Sequence, residues 1–359
     1  MKLDEIDKNL LNKGLRHEDY TWYPLSALTL CGCLDPEPPM HRFSRELAAS
    51  LSERSLYLSG HSAGIRVRFY TDSPYIAVSA ALTQTAAEAA LADMTIVNAS
   101  GFDMYEKEAG IPGAEYRFKG IFRPDGLSDS VCCDVERYRD EFSLIEINFP
   151  LFNGVRSFAV GIKSGCRLEA DTEKRKRFVL YGSSITQGGC SSRPGNSYGA
   201  YLSRLLDADY VNIGLSGNCL GQDEMARYIA GIDMDAFVFD YDHNSPNAEY
   251  LEKTHGRFFE IFRKARPETP VIMLTMPLFD KRIISGYGWW EQKRTHIIYD
   301  TYQKALRAGD KNVYFIDGDS LISCEDRDFC THDHVHCNDM GFYLFAGNVL
   351  PVLKKALYG

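Results

Sequence analysis

The strongest constraint on the fold of this chain is a fivefold alternation of short apolar strands and helical patterns that begins at Phe178. Phe178 to Tyr181 precedes a helical pattern over Tyr198 to Leu206, Tyr210 to Ile213 precedes Glu224 to Ile229, and Ala236 to Tyr241 precedes Glu249 to Ala265. Val271 to Met276 then precedes Thr295 to Arg307, and Val313 to Ile316 precedes Gly341 to Leu357. Parallel strands are joined by crossover helices and buried on both faces, so they read as unbroken apolar runs. The alternation therefore predicts a three-layer α/β/α domain built on a parallel sheet.

Upstream the pattern changes. Ile65 to Tyr70, Tyr75 to Ala80, Met94 to Val97, Tyr116 to Phe122, Phe142 to Phe149 and Ser157 to Ile162 are short runs rich in aromatic and β-branched residues, separated by turn residues. That spacing predicts a β-sandwich, jelly-roll-like in its succession of strands. The polar stretch Glu169 to Arg177 has no apolar periodicity and reads as a linker. A chain of 359 residues is long enough for two cores, so residues 1–170 and 171–359 are expected to form separate domains.

The formal net charge of −9 argues against a nucleic acid or an anionic membrane as partner, since both select a basic footprint. No run of about 18 apolar residues is present, and the segment Met1 to Asp7 is acidic and lacks the apolar core of a secretory signal. The ten cysteines are scattered and read as free thiols, which suits a cytoplasmic protein. A homo-oligomer is neither required nor excluded.

The chemistry concentrates where strands end. The first strand of the alternation runs into Gly182, Ser183, Ser184, Ile185, Thr186, Gln187, Gly188, and open α/β sheets place their sites at such carboxyl edges. Ser184 is thus a candidate nucleophile, with a helix-capping serine as the plainer reading. A serine needs a base, and Asp333 and His336, three apart just before the last helix, suit the roles of orienting acid and general base. Donors for a developing oxyanion are available at Gly217 after the second strand and Asn244 after the third. Gly217 would let a backbone N–H approach closely because it lacks a side chain. His332, His334 and His336 with Cys330, Asp333 and Cys337 also permit a metal-site reading, which competes with the triad for His336.

These four blocks, in this order, resemble the SGNH or GDSL hydrolase superfamily over roughly residues 178–359. The resemblance implies a flavodoxin-like three-layer fold, Ser184 as nucleophile, Asp333 and His336 as its partners, and an oxyanion hole from the Ser184 N–H, Gly217 and Asn244. Three positions depart from the family pattern: Ser183 stands for the usual aspartate, Asp242 for the glycine of Gly-x-Asn, and Ser245 for the aspartate after it. Gly101, Phe102, Asp103, Met104, Tyr105 is similar to the Gly-x-Asp-Leu-Tyr signature of a β-domain found ahead of some of these hydrolases.

The constellation implies a serine esterase working without metal or organic cofactor, and the resemblance adds small acyl groups, acetyl foremost, carried by a carbohydrate or other polar ester. An acyltransferase using the same acyl-enzyme, and a carbohydrate-binding protein with an inactive hydrolase half, are the alternatives. Trp289, Trp290, His243 and Arg193 are candidate substrate contacts: adjacent tryptophans on a loop stack on sugars or cover a site, and the other two flank the blocks above. Each has an equally plain structural reading: core packing for the tryptophans and His243, and a rigid loop for Arg193.

Overall fold

The computed structural model describes residue 6 and residues 14–107, 116–277, 293–322 and 327–359. Ten strands make up the amino-terminal half: β1 (Tyr20–Pro24), β2 (Thr29–Cys31), β3 (Arg66–Thr71), β4 (Tyr75–Leu82), β5 (Phe102–Lys107), β6 (Tyr116–Phe122), β7 (Ser130–Glu136), β8 (Ser143–Asn148), β9 (Val155–Lys163) and β10 (Leu168–Ala170). They form two antiparallel sheets, one ordered β1-β9-β4-β7 and the other β10-β3-β8-β5-β6 with β2 against β3. Alternate side chains face inward, so Val67 and Phe69 of β3 and Ile145 and Ile147 of β8 meet Ile76 and Val78 of β4 and Val160 and Ile162 of β9 in one core.

The carboxyl-terminal half is a five-stranded parallel sheet of β11 (Arg177–Gly182), β12 (Asp209–Gly214), β13 (Ala236–Asp240), β14 (Val271–Leu274) and β15 (Val313–Ile316), ordered β12-β11-β13-β14-β15. Helices Asp223–Gly231, Ala248–Ala265 and Lys293–Arg307 cover one face, and Tyr198–Leu206 and Asp339–Tyr358 cover the other. Because β11 lies between β12 and β13, the chain direction across the sheet reverses there. A crevice opens at such a switch point, and it brings the segments following these three strands side by side.

Three details differ from the sequence expectation. Met94 to Val97 is not a strand: Thr95 caps the short helix Ile96–Ser100, its hydroxyl accepting from the Asn98 N–H at 2.9 Å, and the cap outweighs local β preference. Strands β1, β2, β5, β7 and β10 lie outside the runs read from sequence; β5 holds Phe102 to Tyr105 themselves. Glu169 to Arg177 is no solvated linker, since the nearly buried Asp171 and Arg175 side chains pair at 2.6 Å and Arg175 also reaches Asp207 at 3.1 Å.

The two halves meet through buried charge. Arg66 and Arg68 of β3 lie beside Glu146 of β8 and Asp209 of β12, with Arg68 2.8 Å from Glu146. The fully buried Arg42 donates to the carbonyls of Asn212 and Gly214 at 3.1 and 2.7 Å, at the carboxyl end of β12. Among the described residues no helix is long and apolar enough to cross a membrane.

Candidate active site

Strand β11 ends at Gly182 and the chain enters the one-turn helix Ser184–Gln187. Ser183 is its cap, the hydroxyl accepting from the Ile185 N–H at 3.2 Å, so the serine fills locally the capping role that an aspartate can fill. Ser184 opens the helix, where an N–H has no intrahelical acceptor, and its Oγ lies 2.9 Å from His336 Nε2.

His336 is held by its own loop. The Asp333 carboxylate accepts the backbone N–H groups of Val335 and His336 at 3.0 and 2.7 Å through one oxygen, and lies 2.7 Å from His336 Nδ1 through the other. With Nδ1–H given to Asp333, Nε2 is left as the acceptor facing the serine hydroxyl. Burial pushes the Asp333 carboxyl up, but these hydrogen bonds with His336 and Val335 outweigh it and hold the group below its ordinary value. A bridge between Thr331 and Cys337, with the His332 N–H donating to the His336 carbonyl at 3.0 Å, closes the loop. His334, at φ +66°, interrupts the extended run that alternating imidazoles would need. Among the described residues no three His, Cys, Asp or Glu side chains converge as a metal site.

The oxyanion candidates flank the serine. Gly217 occupies the turn Leu215–Asn218 with φ +66°, closed by the Asn218 N–H donating to the Leu215 carbonyl at 2.9 Å. A Cβ there would meet no protein atom within 4 Å, so within the protein the glycine is required by the left-handed backbone. Asn244 accepts the Cys219 N–H at 3.2 Å through Oδ1, which turns its Nδ2 into the donor available to a ligand.

Four residues that sequence reasoning missed hold these loops. Gln187, fully buried, accepts the Ser216 N–H at 3.2 Å, donates to the Leu151 carbonyl at 2.9 Å and stands 3.1 Å from His61 Nδ1. Ser55 accepts from Asn218 Nδ2 at 2.8 Å, and Arg42 grips the preceding strand end. Arg294, nearly fully buried, donates to the Asp242 and Ser245 carbonyls at 2.9 Å each and so clamps the Asn244 loop from both sides. Only Gln187, three residues after the serine, was open to suspicion from sequence; the others lie 49 or more residues from the groups they hold.

The proposed substrate contacts fare differently. His243 packs, its side chain 5 % exposed and its Nδ1 3.0 Å from Asp242; burial lowers the imidazole pKa but the Asp242 and Asp240 carboxylates raise it further. Asp242 itself accepts the Met276 N–H at 2.8 Å, tying the Asn244 loop to the end of β14. Arg193 stacks 4.0 Å over Phe118 and lies 3.5 Å from Asp103, so it is engaged by the β-domain and serves the rigid-loop reading. Trp289 and Trp290 lie outside the described residues. Under the serine helix, the Asp240 carboxyl accepts from Thr186 at 2.7 Å and Tyr198 at 3.1 Å, and burial pushes its pKa up to about 6.

Beside the His336 loop a cavity of about 550 Å³ opens between Asp93, Met94, Ser192, His332, Asn338 and Met340. Cys190 continues its wall, and the neighbouring Gly189 faces His336, whose Cδ2 would lie 3.5 Å from a Cβ at that glycine. A larger cavity of about 700 Å³, between helices Ala248–Ala265 and Lys293–Arg307, contains none of these residues.

A switch-point crevice in a parallel sheet, fronted by serine, imidazole and carboxylate in hydrogen-bonded series, defines an SGNH-like hydrolase domain behind an antiparallel β-domain. Residues 175–354 match the GDSL-like lipase/acylhydrolase family, to which the chain belongs, and residues 20–168 match the N-terminus of SGNH-hydrolase-type esterases. A protein of Bacteroides ovatus ATCC 8483 labelled GDSL-like lipase superposes with a TM-score of 0.82 at 27 % identity, over 94 % of this chain and 98 % of that one. A salicylyl-acyltransferase of a tetracycline biosynthetic pathway gives 0.73 at 17 %, over 95 % and 98 %. A family two carbohydrate esterase from Cellvibrio japonicus gives 0.58 at 11 %, over 94 % and 98 %. None of the curated proteins matches the chain.

Proposed function

We propose that this protein is a serine esterase that removes small acyl groups, acetyl in particular, from a carbohydrate or similarly hydroxylated ester. The observation that carries the reading is the continuous series Asp333–His336–Ser184, at 2.7 and 2.9 Å, beside donors at Gly217 and Asn244. His336 Nε2 takes the Ser184 proton as Oγ attacks the acyl carbonyl, and Asp333 steadies the imidazolium. The oxyanion is stabilised by the Ser184 and Gly217 N–H groups and Asn244 Nδ2. His336 then gives its proton to the departing alcohol, leaving an acyl-Ser184 that water resolves.

The alcohol departs on the His336 side. The cavity there, about 550 Å³, combines polar Asp93, Ser192, His332 and Asn338 with the thioethers of Met94 and Met340, which suits the edges and face of a sugar ring better than a lipid chain.

The test uses the full chain with an aryl acetate and with acetylated xylo-oligosaccharides, alone and with an added alcohol acceptor. Release of acetate from both substrates, lost in Ser184→Ala, is the expected result. Full activity of Ser184→Ala would overturn the mechanism, and acyl transfer to the acceptor in preference to water would make the protein a transferase.

A further inference from the structure

The Gly101–Tyr105 segment leads into β5. In β5 its side chains alternate: Phe102 and Met104 enter the sandwich core, while Asp103 and Tyr105 face away from it, toward the hydrolase half. There they meet the loop that follows the serine helix. Asp103 accepts the Gly195 N–H at 2.8 Å through one oxygen and Asn148 Nδ2 at 3.0 Å through the other. The Tyr105 hydroxyl lies 3.4 Å from both Asn196 Oδ1 and Arg193 Nη2, and the Arg204 guanidinium stacks 3.9 Å over its ring while donating to the Gly195 carbonyl. A Cβ at Gly195 would clash with the Tyr105 ring and stand 2.7 Å from the Asp103 carboxylate, so the loop is seated as closely as backbone allows.

That loop touches both reacting side chains' supports. Its first residue, Gly188, caps the serine helix, and Asn98 Nδ2 donates to the Gly188 carbonyl and to Ser191 Oγ at 3.0 and 2.7 Å. Its middle residue, Ser192, donates its N–H and hydroxyl to the two oxygens of Asp339 at 2.7 and 2.6 Å. Asp339 opens the last helix, three residues after His336. Residues 188–196 therefore form a strap from the Ser184 helix to the His336 segment, and the far end of the strap is held by β5.

We propose that Asp103 and Tyr105 are positioning residues, which set the spacing of Ser184 and His336 from the β-domain through the 188–196 strap. The proposal rests on the reading of Ser184 and His336 as the reacting pair. A displacement of about 1 Å between reacting groups costs about 10²-fold in rate, so the effect belongs in kcat, with KM for a small aryl acetate changed less than about twofold.

The test is a double-mutant cycle on the full chain, read as kcat and KM. Asp103→Ala and Asp339→Ala, which removes both acceptors of Ser192, each lower kcat by about 10- to 100-fold, and the double variant falls no further than the worse single one, because both act through one strap. Asp103→Asn, which keeps an acceptor for the Gly195 N–H, restores most of kcat. Should Asp103→Ala not fold, Tyr105→Phe takes its place in the cycle, with a smaller loss that again vanishes in the Asp339→Ala background. Lys107→Met, which removes a different interdomain ion pair, 2.7 Å from Asp207, leaves kcat unchanged. Multiplicative losses in the double variant, a loss confined to KM, or an equal loss in Lys107→Met would each overturn the proposal. An active Ser184→Ala would instead overturn the function on which it rests, so the two failures are distinguishable.

Discussion

Replacing Gln187 by methionine tests the architecture of the site more sharply than removing a reacting group. The side chain is fully buried, and methionine keeps its approximate volume while deleting every polar contact. Three groups then lose their partner: the Leu151 carbonyl, His61 Nδ1 and the Ser216 N–H. His61 is neutral, since burial drives its pKa down to about 3, so its Nδ1 is an acceptor with no charge to recruit water. A buried polar group left unpaired costs about 1–3 kcal/mol; the first two count in full, while the half-buried Ser216 N–H counts at the lower end. The sum is about 3–7 kcal/mol of stability, large against the 5–15 kcal/mol of a typical domain. Because Ser216 precedes Gly217, the variant also loosens one of the proposed oxyanion donors. Complete loss of such a donor costs about 10²–10³ in kcat, and a partial loss about tenfold. Urea unfolding of the full chain, together with kcat on an aryl acetate under conditions where both proteins are folded, measures both quantities. A stability loss below about 1 kcal/mol would refute the hydrogen-bond accounting. A large stability loss with kcat untouched would refute the link from Gln187 to the Gly217 turn.

Asp333→Asn should lower kcat by about 10³–10⁴ by leaving the imidazole in the wrong tautomer, and a loss under tenfold on an aryl acetate would count against the triad. Asn244→Ala should cost about 10² in kcat and about 1–3 kcal/mol of stability, because the buried Cys219 N–H loses its acceptor, whereas unaltered kcat would remove Asn244 from the oxyanion hole. Asp240, raised to about 6 by burial, holds a proton in the folded state that the unfolded chain has lost between about pH 4 and 6. Its contribution to stability is therefore present below about pH 4 and lost as pH rises through about 6. Asp240→Asn should consequently gain in melting temperature relative to the parent protein between pH 4 and pH 7, and a constant difference across that range would contradict the sign.

The parallel half was legible because its signals are local. Apolar runs four to six residues long, each followed by an amphipathic stretch, specify strand and helix without reference to distant residues, and Tyr198–Leu206 and Val313–Ile316 fall where the pattern puts them. The order of the Ser184, Gly217, Asn244 and Asp333–His336 blocks was legible for the same reason, each sitting at a strand end or a helix start. What escaped were the supporting contacts made between residues distant in sequence. Arg42 reaches Gly214 across 172 positions and Gln187 faces His61 across 126, and no periodicity records such a contact. Trp289 and Trp290 lie outside the described residues, and Met94 to Val97 shows how one capping hydroxyl overrides β-branched composition.

The buried Arg66–Arg68–Glu146–Asp209 cluster bears on ancestry. Separating the halves would leave Asp209 with Arg177 alone on one piece and two guanidinium groups with one carboxylate on the other, and breaking a buried pair costs about 3–5 kcal/mol. The carbonyls of Asn212 and Gly214 would lose Arg42 in the same cut. An accessory module joined by a tether can be exchanged between genes at little cost. This β-domain cannot, because part of its charge is neutralised inside its neighbour. Recombination within such a lineage is expected to respect the joint, so that changes on β3 track changes at the start of β12 and the two halves descend as a single unit of inheritance.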